Sequence, residues 1–103
     1  MVHVIATVQL NEGTRQAFLA EFHKLVPLVR AEEGCLEYGP AIDVASGLAV
    51  QIPMRANVVT VVEKWKDLDC LKKHLQAPHM AAYRPKVKDF VVDTKLQVLA
   101  PAE

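Results

Sequence analysis

Between Asn57 and Tyr83 the chain reads NVVTVVEKWKDLDCLKKHLQAPHMAAY, and these 27 residues hold the only tryptophan, two of the four histidines and one of the two tyrosines. Glu63 and Trp65 end a β-branched run, Val58 to Val62, and share one strand face with Val59 and Val61. A carboxylate on a largely buried face needs a partner or a raised pKa, so Glu63 reads as a structural acceptor or as a proton-handling group. Trp65 reads as core or as the border of a ligand cavity. His74 lies beside Leu71 and Leu75 on the apolar side of the next helix. It is either a helix-terminal imidazole satisfied by a carbonyl or a base, since imidazole changes charge near neutral pH. His79 follows Pro78 at a helix start, where open backbone N–H groups and the imidazole can bind an anionic oxygen; the alternative is simple solvation. Tyr83 shares the face of His79 and can stack on a flat ring while donating a hydrogen bond. Tyr38 stands on an irregular strand whose alternation does not orient it, and Phe22 is core, ligand wall or both. Such a set can bind an aromatic ring and move a proton.

Other chemistries find no motif. His74 and His79 are five residues apart across a proline, not at i, i+4, and there is no HExxH or cysteine pair. No GxGxxG, P-loop or serine nucleophile with an oxyanion turn is present. The expectation is therefore a site with no metal and no bound cofactor. Lys plus Arg equals Asp plus Glu at 12 each, so no net field favours nucleic acid or an anionic membrane. The longest apolar runs are far short of a bilayer span. The first ten residues, MVHVIATVQL, alternate like a strand and lack a basic leader pattern. Cys35 and Cys70 form no redox motif and read as free thiols of a reducing cytoplasm.

The elements that must position these groups follow from periodicity. With 103 residues, 51% of them hydrophobic, the chain is expected to form one domain over 1–103 with a single modest core. Val2 to Leu10 is a strand with Val2, Val4, Ala6, Val8 and Leu10 on one face and His3, Ile5, Thr7 and Gln9 on the other. Asn11 is a plausible N-cap for a helix over about Gly13 to Glu33, striped by Phe18, Leu19, Phe22, Leu25, Val26 and Val29. Pro27 should kink it or reset its last turn, and Gly34 is a natural C′ residue. Cys35 to about Val44 is a strand made irregular, bulged or edge-lying by Gly39-Pro40. Ala45 to Ala56 is a loop or hairpin, residues 58–65 a third strand, and Asp67 the cap of the next helix. A further helical piece runs from Pro78 to about Lys88, interrupted at Pro85, and Phe90 to Leu99 is the last strand. The order β-α-β-β-α-β predicts a ferredoxin-like α+β fold, an antiparallel sheet with the helices on one face. The other face is expected to carry Val4, Ala6 and Val8, an apolar patch large enough to predict a homodimer, sheet on sheet.

The element order, Glu32-Glu33-Gly34-Cys35 followed by Tyr38, Glu63-Lys64-Trp65, and His74 followed by Pro78-His79-Met80 and Tyr83 together resemble the antibiotic biosynthesis monooxygenase superfamily, and within it the YgiN-type quinol monooxygenases. The similarity extends from Ile5 to Leu99 and is carried by two signatures, EEGCxxYxPxxD from Glu32 and HLQxPHMxAY from His74. The resemblance implies a dimeric α+β barrel that oxidises quinols or polyphenols with O2 as co-substrate and with neither metal nor flavin. The haem-degrading branch has an Asn on the first strand and a haem-ligating His on the last helix; Thr7 and Arg84 stand there, which disfavours haem chemistry. Some polyketide-modifying members carry an Asn where this chain has Val61.

On that resemblance His74 is the base, with Glu63 orienting it or sharing its proton. Trp65 and Tyr83 clamp the ring, and His79 and Arg84 stabilise a developing oxyanion. The rival readings are a non-catalytic ligand-binding dimer and a cofactor-free isomerase on the same scaffold.

Overall fold

A computed structural model describes residues 1–103. The order is β1 (Val2–Leu10), α1 (Arg15–Arg30), β2 (Cys35–Ala41), β3 (Val58–Trp65), α2 (Leu68–Leu75), α3 (Pro78–Val87) and β4 (Val91–Leu99). The four strands form one antiparallel sheet in the order β2-β3-β1-β4. This is the expected ferredoxin-like α+β fold, with the second helical layer divided into α2 and α3. The chain leaves the helical region at Ala77, which is extended, and Pro78 then restarts it with its fixed φ and missing N–H. Pro85 does not interrupt α3 as expected from sequence; it sits near the end of a continuous helix.

Register decides which side chains meet. Val2 pairs with Trp65, Val4 with Glu63 and Ala6 with Val61, and Tyr38 on β2 also lies opposite Glu63. Directly paired residues point to the same side of a sheet. One face therefore presents Val2, Val4, Ala6, Val8, Val59, Val61, Glu63, Trp65 and Tyr38, all of them buried. The stripe of α1, Phe18, Phe22, Leu25, Val26 and Val29, is buried with them in one core.

This corrects the sequence expectation for the sheet. Val4, Ala6 and Val8 do not line an open face; they lie beneath the helices. Alternation separates two faces but does not say which one the helices cover. The opposite face carries His3, Ile5, Thr7 and Gln9 of β1, so a charge placed at Val8 would enter the core and not a sheet-to-sheet interface.

The turns show similar adjustments. Thr14, not Asn11, is the N-cap of α1; the Asn11 side chain instead donates to the Asp89 carbonyl, tying the β1 end to the α3–β4 turn. Helix α1 stops at Arg30, three residues before the expected end, and Gly34 serves the tight turn into β2 with φ +79. A Cβ there would lie 2.4 Å from Cys70 Sγ, so both the backbone and the packing demand glycine. β2 ends at Ala41, and its register shift falls between Cys35 and Glu37, ahead of Gly39-Pro40; it is an edge strand, where Pro40 is tolerated. Asp67 caps α2 as expected, its side chain accepting from Cys70 N at 2.8 Å. Residues 42–57 form a loop between β2 and β3, pinned by the Arg55 guanidinium on the Asp43 carboxylate at 2.9 Å.

Candidate active site

The helices do not close fully on the sheet. A cavity of about 900 Å³ lies between them, walled by Ala6, Val8 and Val61 of the sheet, Phe18 and Phe22 of α1, Tyr38 of β2, and Met80, Tyr83, Arg84 and Val87 of α3. Glu63 and His74 also line it, in a wall that is mostly apolar. It opens along β4, where Thr94 and Leu96 belong to the wall and Leu96 is 49% exposed. A concave apolar site with a few convergent polar groups is the usual form of a small-ligand pocket.

His74 is the best-fixed polar group. Its side chain is 2% exposed and its ring packs against Trp65 at 4.7 Å and edge-on to Tyr38 at 5.5 Å. The partner of its Nδ1 is Glu32 Oε2, at 2.9 Å. With the proton on Nδ1 donated to a carboxylate, Nε2 is left as the unprotonated nitrogen, the arrangement a general base requires.

Glu63 does not orient His74, contrary to the sequence expectation. Strand geometry turns it along its own face toward Trp65, whose indole Nε1 donates to Glu63 Oε1 at 2.9 Å. Burial pushes the Glu63 carboxyl up to about 7; the indole N–H holds it down, and the negative charge of Glu32 adds to the rise. Burial and the Glu63 charge likewise raise the Tyr38 phenol, and burial raises that of Tyr83, so both tyrosines remain neutral hydrogen-bond donors.

Because Glu63 is held above its ordinary 4.5, its neutral form favours the folded state. That contribution is complete below about 4.5 and is lost as pH rises through about 7. Glu63→Gln keeps an acceptor for the indole and removes the titration. Its stability relative to wild type should improve by roughly 2–3 kcal/mol between pH 5 and pH 8. Denaturant melts of both proteins at the two pH values check this, and a difference that does not change with pH would contradict it.

The remaining candidates divide. Phe22, Tyr38 and Tyr83 form an aromatic wall: Phe22 stacks on Tyr38 at 5.5 Å and meets Tyr83 edge-on at 6.0 Å. Arg84 lines the cavity, but its Nη2 donates to the Leu75 carbonyl at 2.7 Å, satisfying the end of α2. Trp65 is wholly buried and is absent from the cavity wall, so it supports His74 and Glu63 and does not clamp a ligand. His79 also lies outside the cavity; its Nε2 meets Glu32 Oε2 at 2.6 Å, and it borders a shallow groove with Tyr83 on the far side of α3.

Glu32 is thus the residue that periodicity misses. It stands on the turn after α1, 42 positions before His74. Its one signal is its place at the head of the EEGC signature, which marks it without giving it a chemical partner.

Fold and cavity define a class: a ferredoxin-like α+β domain with an aromatic-walled pocket and an imidazole–carboxylate pair. Residues 1–86 match the family described as Antibiotic biosynthesis monooxygenase. The chain belongs to that family. It is 40% identical over 103 residues to "Probable quinol monooxygenase YgiN" of Escherichia coli (strain K12), covering 98% of each chain. Its fold is similar to that of PA3566 from Pseudomonas aeruginosa, with a TM-score of 0.81 at 24% identity, covering 99% of this chain and 94% of that one. It is also similar to that of Rv0793 from Mycobacterium tuberculosis, with a TM-score of 0.78 at 24% identity, covering 99% and 95%.

Proposed function

We propose that the protein is a cofactor-independent quinol monooxygenase. The observation that carries this reading is His74, its Nδ1 held by Glu32 at 2.9 Å, in the wall of an apolar cavity beside Phe22, Tyr38 and Tyr83. The similarity to a relative named a quinol monooxygenase supports the substrate class.

In this reading the quinol ring lies against the aromatic wall and Nε2 of His74 accepts one phenolic proton. Glu32 stabilises the imidazolium that results. The quinolate is a much better electron donor than the quinol and passes one electron to O2. Superoxide and semiquinone combine at a ring carbon, and loss of water from the peroxide leaves a hydroxyquinone. The balance is quinol plus O2 to hydroxyquinone plus water, with one oxygen atom on the ring and the other in the water. The chain's tasks are to bind the ring, take the proton and exclude bulk water. No metal or flavin takes part in the scheme. The unpaired thiols Cys35 and Cys70 suit a cytoplasmic setting.

Chelator-treated protein should consume O2 with a naphthoquinol well above the autoxidation rate, and 18O2 should label the ring product. No uptake above autoxidation sinks the proposal; ligand binding without uptake would make this a binding module, and rearrangement without O2 an isomerase.

We further propose that the active form is a homodimer in which the second copy covers the open side of the cavity. Apolar side chains crowd that region and the 42–57 loop: Val92, Leu96 and Val98 on β4, and Val44, Leu48, Val50 (92% exposed) and Met54 on the loop are all exposed. Val98→Glu and Leu48→Glu should leave the fold intact and weaken association roughly tenfold or more. Sedimentation at micromolar concentration checks this; a folded wild-type monomer would overturn it.

A further inference from the structure

The quinol scheme leaves one side-chain arrangement only partly used. Glu32 sits on the turn after α1, His74 near the end of α2, and His79 at the start of α3. Both imidazoles converge on one atom: Glu32 Oε2 is 2.9 Å from His74 Nδ1 and 2.6 Å from His79 Nε2. One donor atom from each residue lies within 4.8 Å of the other two. We propose that Glu32, His74 and His79 bind one divalent transition-metal ion of the zinc class, and that filling this site switches off His74 as a base.

Two imidazole nitrogens and a carboxylate oxygen are a donor set suited to zinc, with a fourth position left for water. Donors about 2.0–2.1 Å from a tetrahedral ion stand roughly 3.3 Å apart. The two contacts to Oε2 open by several tenths of an ångström, and the two imidazole nitrogens, within 4.8 Å of one another, come to about the same separation. The site is preorganised on its inner side, where Trp65 stacks on His74 at 4.7 Å. On its outer side the His79 side chain is 25% exposed and Glu32 14%, so an ion can arrive from solvent without passing through the cavity. The sequence gives no sign of such a site because its histidines are five apart across Pro78; the break between α2 and α3 turns both rings onto one carboxylate.

The switch follows from tautomerism. When Glu32 accepts from Nδ1–H, the lone pair of His74 is on Nε2. An ion on Nδ1 displaces that proton, and a neutral imidazole bound through Nδ1 must carry its proton on Nε2. The cavity then meets a donor where a base is required. This half of the inference rests on the quinol reading; the binding of the ion does not.

Chelator-stripped full-length protein is titrated near neutral pH with Zn2+ by calorimetry and with Co2+ by visible absorption. One ion per chain is expected, with affinity reduced about tenfold or more in Glu32→Gln and in His79→Ala. Circular dichroism melts confirm that each variant is folded. No binding at micromolar ion, or unchanged affinity in both folded variants, overturns the site. Zinc should also suppress naphthoquinol-dependent O2 uptake, with chelator restoring it. In His79→Ala the zinc concentration needed, relative to that variant's own zinc-free rate, should rise about tenfold or more. Bound zinc with an unchanged rate overturns the switch. Binding that depends on the three residues in a protein that oxidises no quinol preserves the site and sinks the functional reading; oxidation without binding does the reverse.

Discussion

His74→Ala is expected to lower kcat/KM for a naphthoquinol by roughly two to four powers of ten, the usual contribution of a positioned general base. The expectation rests on geometry: His74 joins the cavity wall while its Nδ1 is held by a carboxylate at 2.9 Å. A substitution that removed only binding would raise KM and leave kcat, whereas loss of the base lowers both kcat and kcat/KM. Because the His74 side chain is 2% exposed and packed on Trp65, the alanine also leaves a void, and some stability is lost with the activity. His74→Gln, which refills much of that space, separates the two effects: it should restore the melting temperature and not the rate. Glu32→Gln keeps the imidazole but loses the carboxylate that holds its Nδ1 at 2.9 Å, so its rate should fall between those of wild type and His74→Ala. Autoxidation of the quinol rises with pH and is subtracted at each point. If His74→Ala retains near wild-type kcat, Glu63 is the next candidate base, and Glu63→Gln then becomes the variant that abolishes turnover.

The legible parts of this chain are those governed by short-range rules. Alternation in residues 58–65 places Val59, Val61, Glu63 and Trp65 on one face, and all four are buried. Asp67 is an N-cap because a carboxylate before an apolar helical run can accept from a backbone N–H three residues on. Asn11 satisfies the same rule on paper, yet its side chain is drawn instead to the Asp89 carbonyl across the fold. Local pattern likewise divides β1 into two faces but cannot assign one to the helices, since that depends on the crossing of chain segments far apart in sequence. The pairing of His74 with Glu32 is illegible for a similar reason. It joins a turn after α1 to the end of α2, and no periodicity relates them. Glu63 was the nearer carboxylate in sequence, but a strand residue reaches the side chain two positions away on its own face more readily than a helix above it. The family signatures flag Glu32, His74 and His79 together without stating that they touch.

Trp65→Ala is expected to cost about 3–5 kcal/mol for the emptied space, with roughly 1–3 more for the buried carboxyl left without its donor. Against a typical total of about 5–15 kcal/mol for a domain, this removes most of the stability. Trp65 is wholly buried, packs on His74 and donates to Glu63 at 2.9 Å, so its loss touches His74 and Glu63 at once. Trp65→Phe separates packing from hydrogen bonding. It keeps a ring beneath His74 but deletes the N–H together with part of the indole, and only the loss of the N–H acts on the titration of Glu63. Since that N–H holds the Glu63 carboxyl down against burial, Glu63 in Trp65→Phe should titrate still higher than about 7. On top of a packing loss that is the same at every pH, the cost should therefore grow by about 1–3 kcal/mol from pH 5, where Glu63 is protonated in both proteins, to pH 8, where wild type has the indole N–H for its carboxylate and the variant does not. Denaturant melts at both pH values measure it, and a cycle with Glu63→Gln isolates the pair, because Trp65→Phe in the Glu63→Gln background has no charge left to strand and should lose its pH dependence. A penalty for Trp65→Phe that is the same at both pH values, or that keeps its pH dependence in the Glu63→Gln background, would mean that the indole supports the site by shape alone.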